Sequence, residues 1–227
     1  MVECGRSRGN AIESFRTDAK GDPDKVVLGG WCTADSTDTK LARWFHLELD
    51  IVQAPWLFRD TKRGIQSSPT ISSGELLATM VATHLFVKAD GSSSSVAKFK
   101  ALTDNQGNAK MALKNITTKM PLAAVYMQLV LHLAAKDVEM ELEWLSRDDN
   151  VPADAITNGN FELFSPELRI MVKLEDLDIA LMMKLIDSWG EVEEMVKKRK
   201  LELAEAPRPQ EGNQKKRKTK QVKSAWG

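Results

Sequence analysis

Apolar and polar positions alternate most regularly at "VEMELEWL". Val138, Met140, Leu142 and Trp144 face one way and Glu139, Glu141 and Glu143 the other, which predicts a sheet-edge strand with one wet face. "LARWFHLELD" has the same period, with Leu41, Arg43, Phe45, Leu47 and Leu49 on one face and Trp44, His46, Glu48 and Asp50 on the other. "AIESFRTDAKGDPDK" reads as a short strand that ends in a turn, "VVLGGWCTA" as a second strand, and "VAKFKALT" as a fourth. Gly29-Gly30 marks a bulge or a tight packing point. Residues 50–71 follow neither period.

A helical period appears in "SSGELLATMVATHLFVKA", where Leu76, Leu77, Met80, Val81, His84 and Leu85 recur on one face. Ser72 and Glu75 have the spacing of a capping box at its start. "NQGNAKMALKNI" predicts a short helix and "PLAAVYMQLVLHLAA" a longer one with Pro121 in its first turn. "DDNVPADAITNG" predicts a loop and a short helix that stops at Gly159. Three strands, helix, strand, two helices, strand, helix is an α/β domain ending near residue 160. From Lys173 onward a single long helix is expected, or two broken near Gly190, with an apolar stripe from Leu174 to Val196 that packs on the domain or on a second one. Beyond Pro207 the composition predicts disorder.

Charge changes this picture. The net charge is zero, but residues 207–227 carry seven Lys/Arg against one acid, leaving 25 bases and 31 acids in residues 1–206. A net-negative body does not suit a simple phosphate-gripping module, and does suit one that gathers carboxylates around cations. Two cysteines, Cys4 and Cys32, make no disulfide framework, and no Cys/His set has zinc-ligand spacing. No apolar run reaches the length of a bilayer span and the first ten residues lack the apolar stretch of a signal peptide, so no membrane partner and an intracellular location are expected. "KKRK" at 215–218 fits a nuclear import signal or a tail that grips nucleic acid.

Four carboxylates occupy comparable places. Asp18 is expected at the end of the first strand, Glu75 in the first turn of the first helix, Asp104 at the end of the fourth strand and Asp154 at the start of the helix after the last strand. Such ends converge in open α/β sheets. Clustered carboxylates repel one another unless hard divalent cations neutralise them. Each acid also has a local reading: a turn for Asp18, the capping box for Glu75, a helix N-cap for Asp104, a helix-dipole partner for Asp154.

The same strings carry a family resemblance. "FRTDAKGDPDKVVLGGW", "SSGELLATMVATHLF", "TDNQGNAKMAL" and "LEWLSRDDNVPADAITN" resemble, in order, the four acid-bearing segments of the ribonuclease H domain of retrotransposon reverse transcriptases. The match covers roughly residues 11–160. It implies an RNase H-like mixed five-stranded sheet flanked by helices (11–160), followed by a helical extension (161–206) and a disordered basic tail (207–227). It further implies Asp18, Glu75, Asp104 and Asp154 as catalytic ligands of two Mg²⁺ ions, with Mn²⁺ as a substitute, in an endonuclease that cuts the RNA strand of RNA–DNA hybrids. Asn105 and Gln106 would face the minor groove, where the 2′-OH distinguishes RNA, and Lys114, Lys119 and Arg147 would hold phosphates. The implied partners are the hybrid and a reverse transcriptase polymerase domain, the other surface on which the stripe from Leu174 to Val196 would pack. The alternative is an inactive module of the same fold that binds nucleic acid or docks on that polymerase. The loop "SRDDNVPA" lacks the histidine that many relatives carry before the last acid.

Overall fold

The computed structural model of the protein describes residues 12–88, 97–115 and 117–205. The basic tail, with its 215–218 motif, and the "GSSSS" loop lie outside them. The strands are β1 (Ile12–Gly21), β2 (Lys25–Trp31), β3 (Trp44–Asp50), β4 (Arg59–Thr61) and β5 (Gly64–Gln66), then β6 (Ala97–Thr103), β7 (Val138–Trp144) and β8 (Arg169–Ile170). The helices are α1 (Ile71–Phe86), α2 (Gln106–Lys114), α3 (Leu122–Lys136), α4 (Val151–Thr157) and α5 (Ala180–Glu205).

The main sheet has six strands in the order β7-β6-β1-β2-β3-β8. β1, β2 and β3 run antiparallel as a meander, while β6 and β7 join the other side of β1 in parallel. A parallel neighbour requires a crossover, and α1 supplies it between β3 and β6. This is a mixed α/β sheet, as the order of elements along the chain predicts. The sixth strand, beyond the five expected, is a two-residue pairing of β8 with β3. It is held there because the Arg169 guanidinium lies 5.3 Å from the Trp44 ring centroid and 5.4 Å from that of Phe161.

Alternation along the strands makes two cores. Phe15 and Ala19 of β1, with Phe45, Leu47 and Leu49 of β3, join Leu76, Leu77, Met80 and Val81 of α1 in the larger cluster. On the opposite face Trp31 and Trp44 pack with Ala153, Ile156 and Phe164. The glycine pair sits between these layers. A Cβ at Gly29 would lie 2.7 Å from Ile156 Cγ2 and 3.0 Å from Thr157 Cγ2, so the bare backbone is what lets α4 approach the sheet.

Several expectations need correction. α1 begins at Ile71 with Thr70 as its N-cap, so Ser72 lies inside the helix and Ser72–Glu75 is no capping box. Residues Ser73 to Thr83 are all buried, because α1 packs against the sheet on one side and α3 on another. Residues 50–71 hold the small β4–β5 hairpin, whose three-residue strands are too short and polar to show a period. The segment after residue 160 is not wholly helical. Val172, Leu174, Leu177 and Met182 belong to the larger core, and the compact unit extends to Trp189. α5 starts at Ala180, where the buried Gln128 side chain accepts the Met182 N–H at 3.0 Å, and it passes Gly190 without a break. Residues 190–205 belong to a second unit, in which Lys197–Glu194 and Arg199–Glu202 ion pairs line the helix. Among the described residues no helix is long and apolar enough to cross a membrane.

Gly29→Ala is expected to destabilise the protein by about 1–3 kcal/mol through overpacking against the stiff Ile156 side chain. Urea unfolding of the two proteins checks this; equal midpoints would mean that α4 yields freely.

Candidate metal centre

The site is built by strand register. β1 and β6 run parallel with Thr17 opposite Thr103, so the next residue on each, Asp18 and Asp104, emerge side by side. β6 stops there because Asn105 starts a helix: its Oδ1 accepts the Asn108 N–H at 3.0 Å and makes it the N-cap of α2. The N-cap reading of Asp104 is thereby overturned, and its carboxylate is released from the helix start. Glu75 comes from the second turn of α1, not the first. The Asn105 amide donates to Ser72 Oγ at 3.2 Å and the Asn108 amide to Ser72 O at 2.8 Å, which ties the starts of α1 and α2 together. Asp18 lies within β1 rather than at its end, because the strand continues to Gly21 in its pairing with β2.

One carboxylate oxygen each from Asp18, Glu75 and Asp104 lie within 4.8 Å of one another. Asp18 and Glu75 are buried, and the Asp104 side chain is 7% exposed. Burial, followed by hydrogen bonding that opposes it and by the charges of Asp104 and Asp154, leaves the Asp18 carboxyl above its usual range. Burial, then the charges of Asp18 and Asp104, pushes Glu75 up further. Two oxygens stand out: Glu75 Oε2 and Asp104 Oδ1 are buried without a hydrogen-bond partner. Three converging carboxylates with orphaned buried oxygens fit a hard divalent cation such as Mg²⁺.

Asp154 is not part of that group. It is the fourth residue of α4, and its Oδ2 accepts from Asn158 Nδ2 at 2.9 Å, one turn along the same helix. Its charge still reaches Asp18. Arg147 stands at the rim, 77% exposed, with Nε 3.2 Å from Asp104 Oδ2. Asn105 is occupied by its cap and its bond to Ser72, whereas Gln106, Lys114 and Lys119 are exposed.

Sequence reasoning missed the groups that orient the acids. Thr157 donates to Asp18 Oδ2 at 2.5 Å, across the contact that Gly29 permits. The buried Asn150 amide donates to Thr17 O at 3.0 Å, and Arg16 donates to Asp149 O at 2.8 Å, fixing the loop before α4 on β1. A threonine and an asparagine in "DDNVPADAITNG" carry no local signal for this; only the pairing of Asp18 with Gly29 brings them to the acid.

The raised carboxyls make a signed prediction. The folded state retains protons on Asp18 and Glu75 that the unfolded chain releases near their ordinary values of 3.8 and 4.5. Stability of the metal-free protein therefore falls as pH rises from about 4 through the raised native values. Glu75→Gln should remove much of that slope and raise the melting temperature at pH 7 by about 2–4 °C for each kcal/mol of repulsion relieved. Thermal melts in chelator across pH test this; a variant less stable than wild type at pH 7 would contradict it.

No family model and no curated protein matches the chain. Among solved structures it is similar to ribonuclease H1 from the halophilic archaeon Halobacterium salinarum NRC-1, at 14% identity over 65% of this chain and 96% of that one, with a TM-score of 0.44. It is also similar to the N-terminal ribonuclease H domain of Rv2228c from Mycobacterium tuberculosis, at 14% identity over 67% and 95% of the two chains and a TM-score of 0.43. A third similar structure is LC11-RNase H1 in complex with an RNA/DNA hybrid, at 11% identity over 64% and 93% and a TM-score of 0.44.

Proposed function

We propose that the protein is a divalent-metal-dependent endonuclease that cleaves the RNA strand of RNA–DNA hybrids, derived from a retroelement reverse transcriptase polyprotein. The observation that carries the reading is the convergence of Asp18, Glu75 and Asp104 with two buried oxygens left without partners. The likeness of the four acid-bearing strings to the retrotransposon form supports the retroelement origin. Asp18, Glu75 and Asp104 would hold the cation, and Asp154 would add its charge from α4. Bound there, Mg²⁺ would supply charge neutralisation and Lewis acidity for phosphodiester hydrolysis.

The chain's own residues have separable tasks. Thr157 fixes the rotamer of Asp18 through its hydrogen bond. Ser72, Asn105 and Asn108 hold Glu75 and Asp104 in register by joining two helix starts. Because the Asn105 amide is committed to that bracket, Gln106 is the exposed amide available to the minor groove. Arg147, reaching the site from the solvent side, would exchange Asp104 for a phosphate of the hybrid, and Lys114 and Lys119 would contact phosphates further along.

Two observations favour a second reading. Arg147 already pairs with Asp104, and Asp154 stands outside the converging group, as expected of a site that binds a hybrid without cutting it. The two readings separate in one assay. With Mg²⁺ or Mn²⁺, micromolar protein should cut a labelled RNA–DNA hybrid in its RNA strand. Asp104→Asn should reduce the rate by about 10²-fold or more while leaving the metal-free fold intact. A wild-type chain that binds the hybrid and leaves it whole would establish the inactive module instead.

A further inference from the structure

β7 ends the sheet on one side, and among the described residues no strand pairs with its outer edge. An open edge presents backbone donors and acceptors to any extended segment that reaches it. Along this edge lies a groove of about 980 Å³, lined by Leu113, Tyr126, Val130, Leu133, Met140 and Trp144. Leu113 is 83% exposed and Trp144 50%, so the groove leaves large apolar surfaces in water. A strand edge beside an apolar groove is the form taken by sites that bind peptides through strand addition.

The occupant can be read from β6, the strand already paired with β7. β6 turns Phe99 and Ala101 into the larger core, and its lysines meet the glutamates of β7: Lys98 Nζ lies 2.6 Å from Glu139 and Lys100 Nζ 2.8 Å from Glu143. Glu141 stands between these and takes part in neither pair. Along the outer edge the same glutamates alternate with the apolar side chains, and Glu139, Glu141 and Glu143 also line the groove. A second copy of β7 would set glutamate against glutamate in either direction, which is unfavourable. The acidic row also repels nucleic acid.

We infer that the outer edge of β7 is a docking site for an extended protein segment that alternates Lys or Arg with apolar residues and adds to the sheet as a seventh strand. Its basic side chains meet Glu139, Glu141 and Glu143, and its apolar ones enter the groove beside Leu113 and Trp144. The site adjoins the carboxylate centre, since Trp144 Nε1 donates to Asp104 O at 3.0 Å, but it stands whether or not the hybrid is cut.

The test uses the full chain and a fluorescein-labelled ten-residue peptide alternating Lys with Val and Leu. Anisotropy should show saturable binding, and hydrogen exchange of residues 138–144 should slow in the complex. Glu141→Lys, at an exposed position, should weaken binding by about two- to fivefold. Two further peptides are N-methylated on alternate residues, one set on the edge facing β7 and the other on the edge facing solvent. The first should lose at least about tenfold in affinity and the second little. The proposal is overturned if binding does not saturate, if both methylated peptides bind alike, or if a peptide with Glu in place of Lys binds as well. Concentration-dependent self-association through residues 138–144 would likewise assign the edge to a second copy.

Discussion

Mutual repulsion among buried carboxylates is the constraint around which this molecule is arranged. Asp18, Glu75 and Asp104 bring oxygens within 4.8 Å of one another, out of bulk water. Nothing in that contact favours folding of the metal-free chain: burial and neighbouring charge both press Asp18 and Glu75 toward their protonated forms. An arrangement that costs stability persists when something else repays it, and a divalent cation removes both penalties at once. The exposed Arg147, lying against Asp104, offers a partial and interchangeable compensation from the rim.

The remaining architecture holds these groups against their repulsion. Parallel pairing of β1 with β6 sets two of the acids side by side, and the Asn105 cap ends β6 at the residue required. Gly29, the partner of Asp18 across β1 and β2, admits α4 to the sheet surface and so brings Thr157 to the acid. The bracket of Ser72, Asn105 and Asn108 couples the helix that carries Glu75 to the loop that carries Asp104. Apart from the local Asn105 cap, each restraint is a hydrogen bond or a close approach between elements distant in sequence. The geometry is thus a property of the folded sheet and not of any one motif.

That difference explains what could be read in advance. The alternation in "LARWFHLELD" and "VEMELEWL" correctly gives β3 and β7, and β7 is the edge strand its exposed glutamates imply. Local chemistry misled where two polar residues competed for one role. Asp104 and Asn105 both suit a helix N-cap, and only the backbone decides for Asn105. Ser72 and Glu75 have capping-box spacing, yet the helix begins before them. The packing of Leu174 and Leu177 follows from the apolar stripe, but the contribution of residues 161–172 has no signal in the sequence, because β8 is two residues long and the Arg169 stacking on Trp44 spans over a hundred residues of chain. Order along the chain places Asp154 with the other acids, whereas its side chain turns to Asn158 in its own helix.

The most direct test is crystallographic. Crystals of the full chain soaked in Mn²⁺ should show an anomalous peak bounded by the carboxylates of Asp18, Glu75 and Asp104, with the Arg147 guanidinium displaced from Asp104. A saturating soak that leaves this position empty, with the three acids in place and Arg147 still paired, would contradict the account of these residues as a cation site.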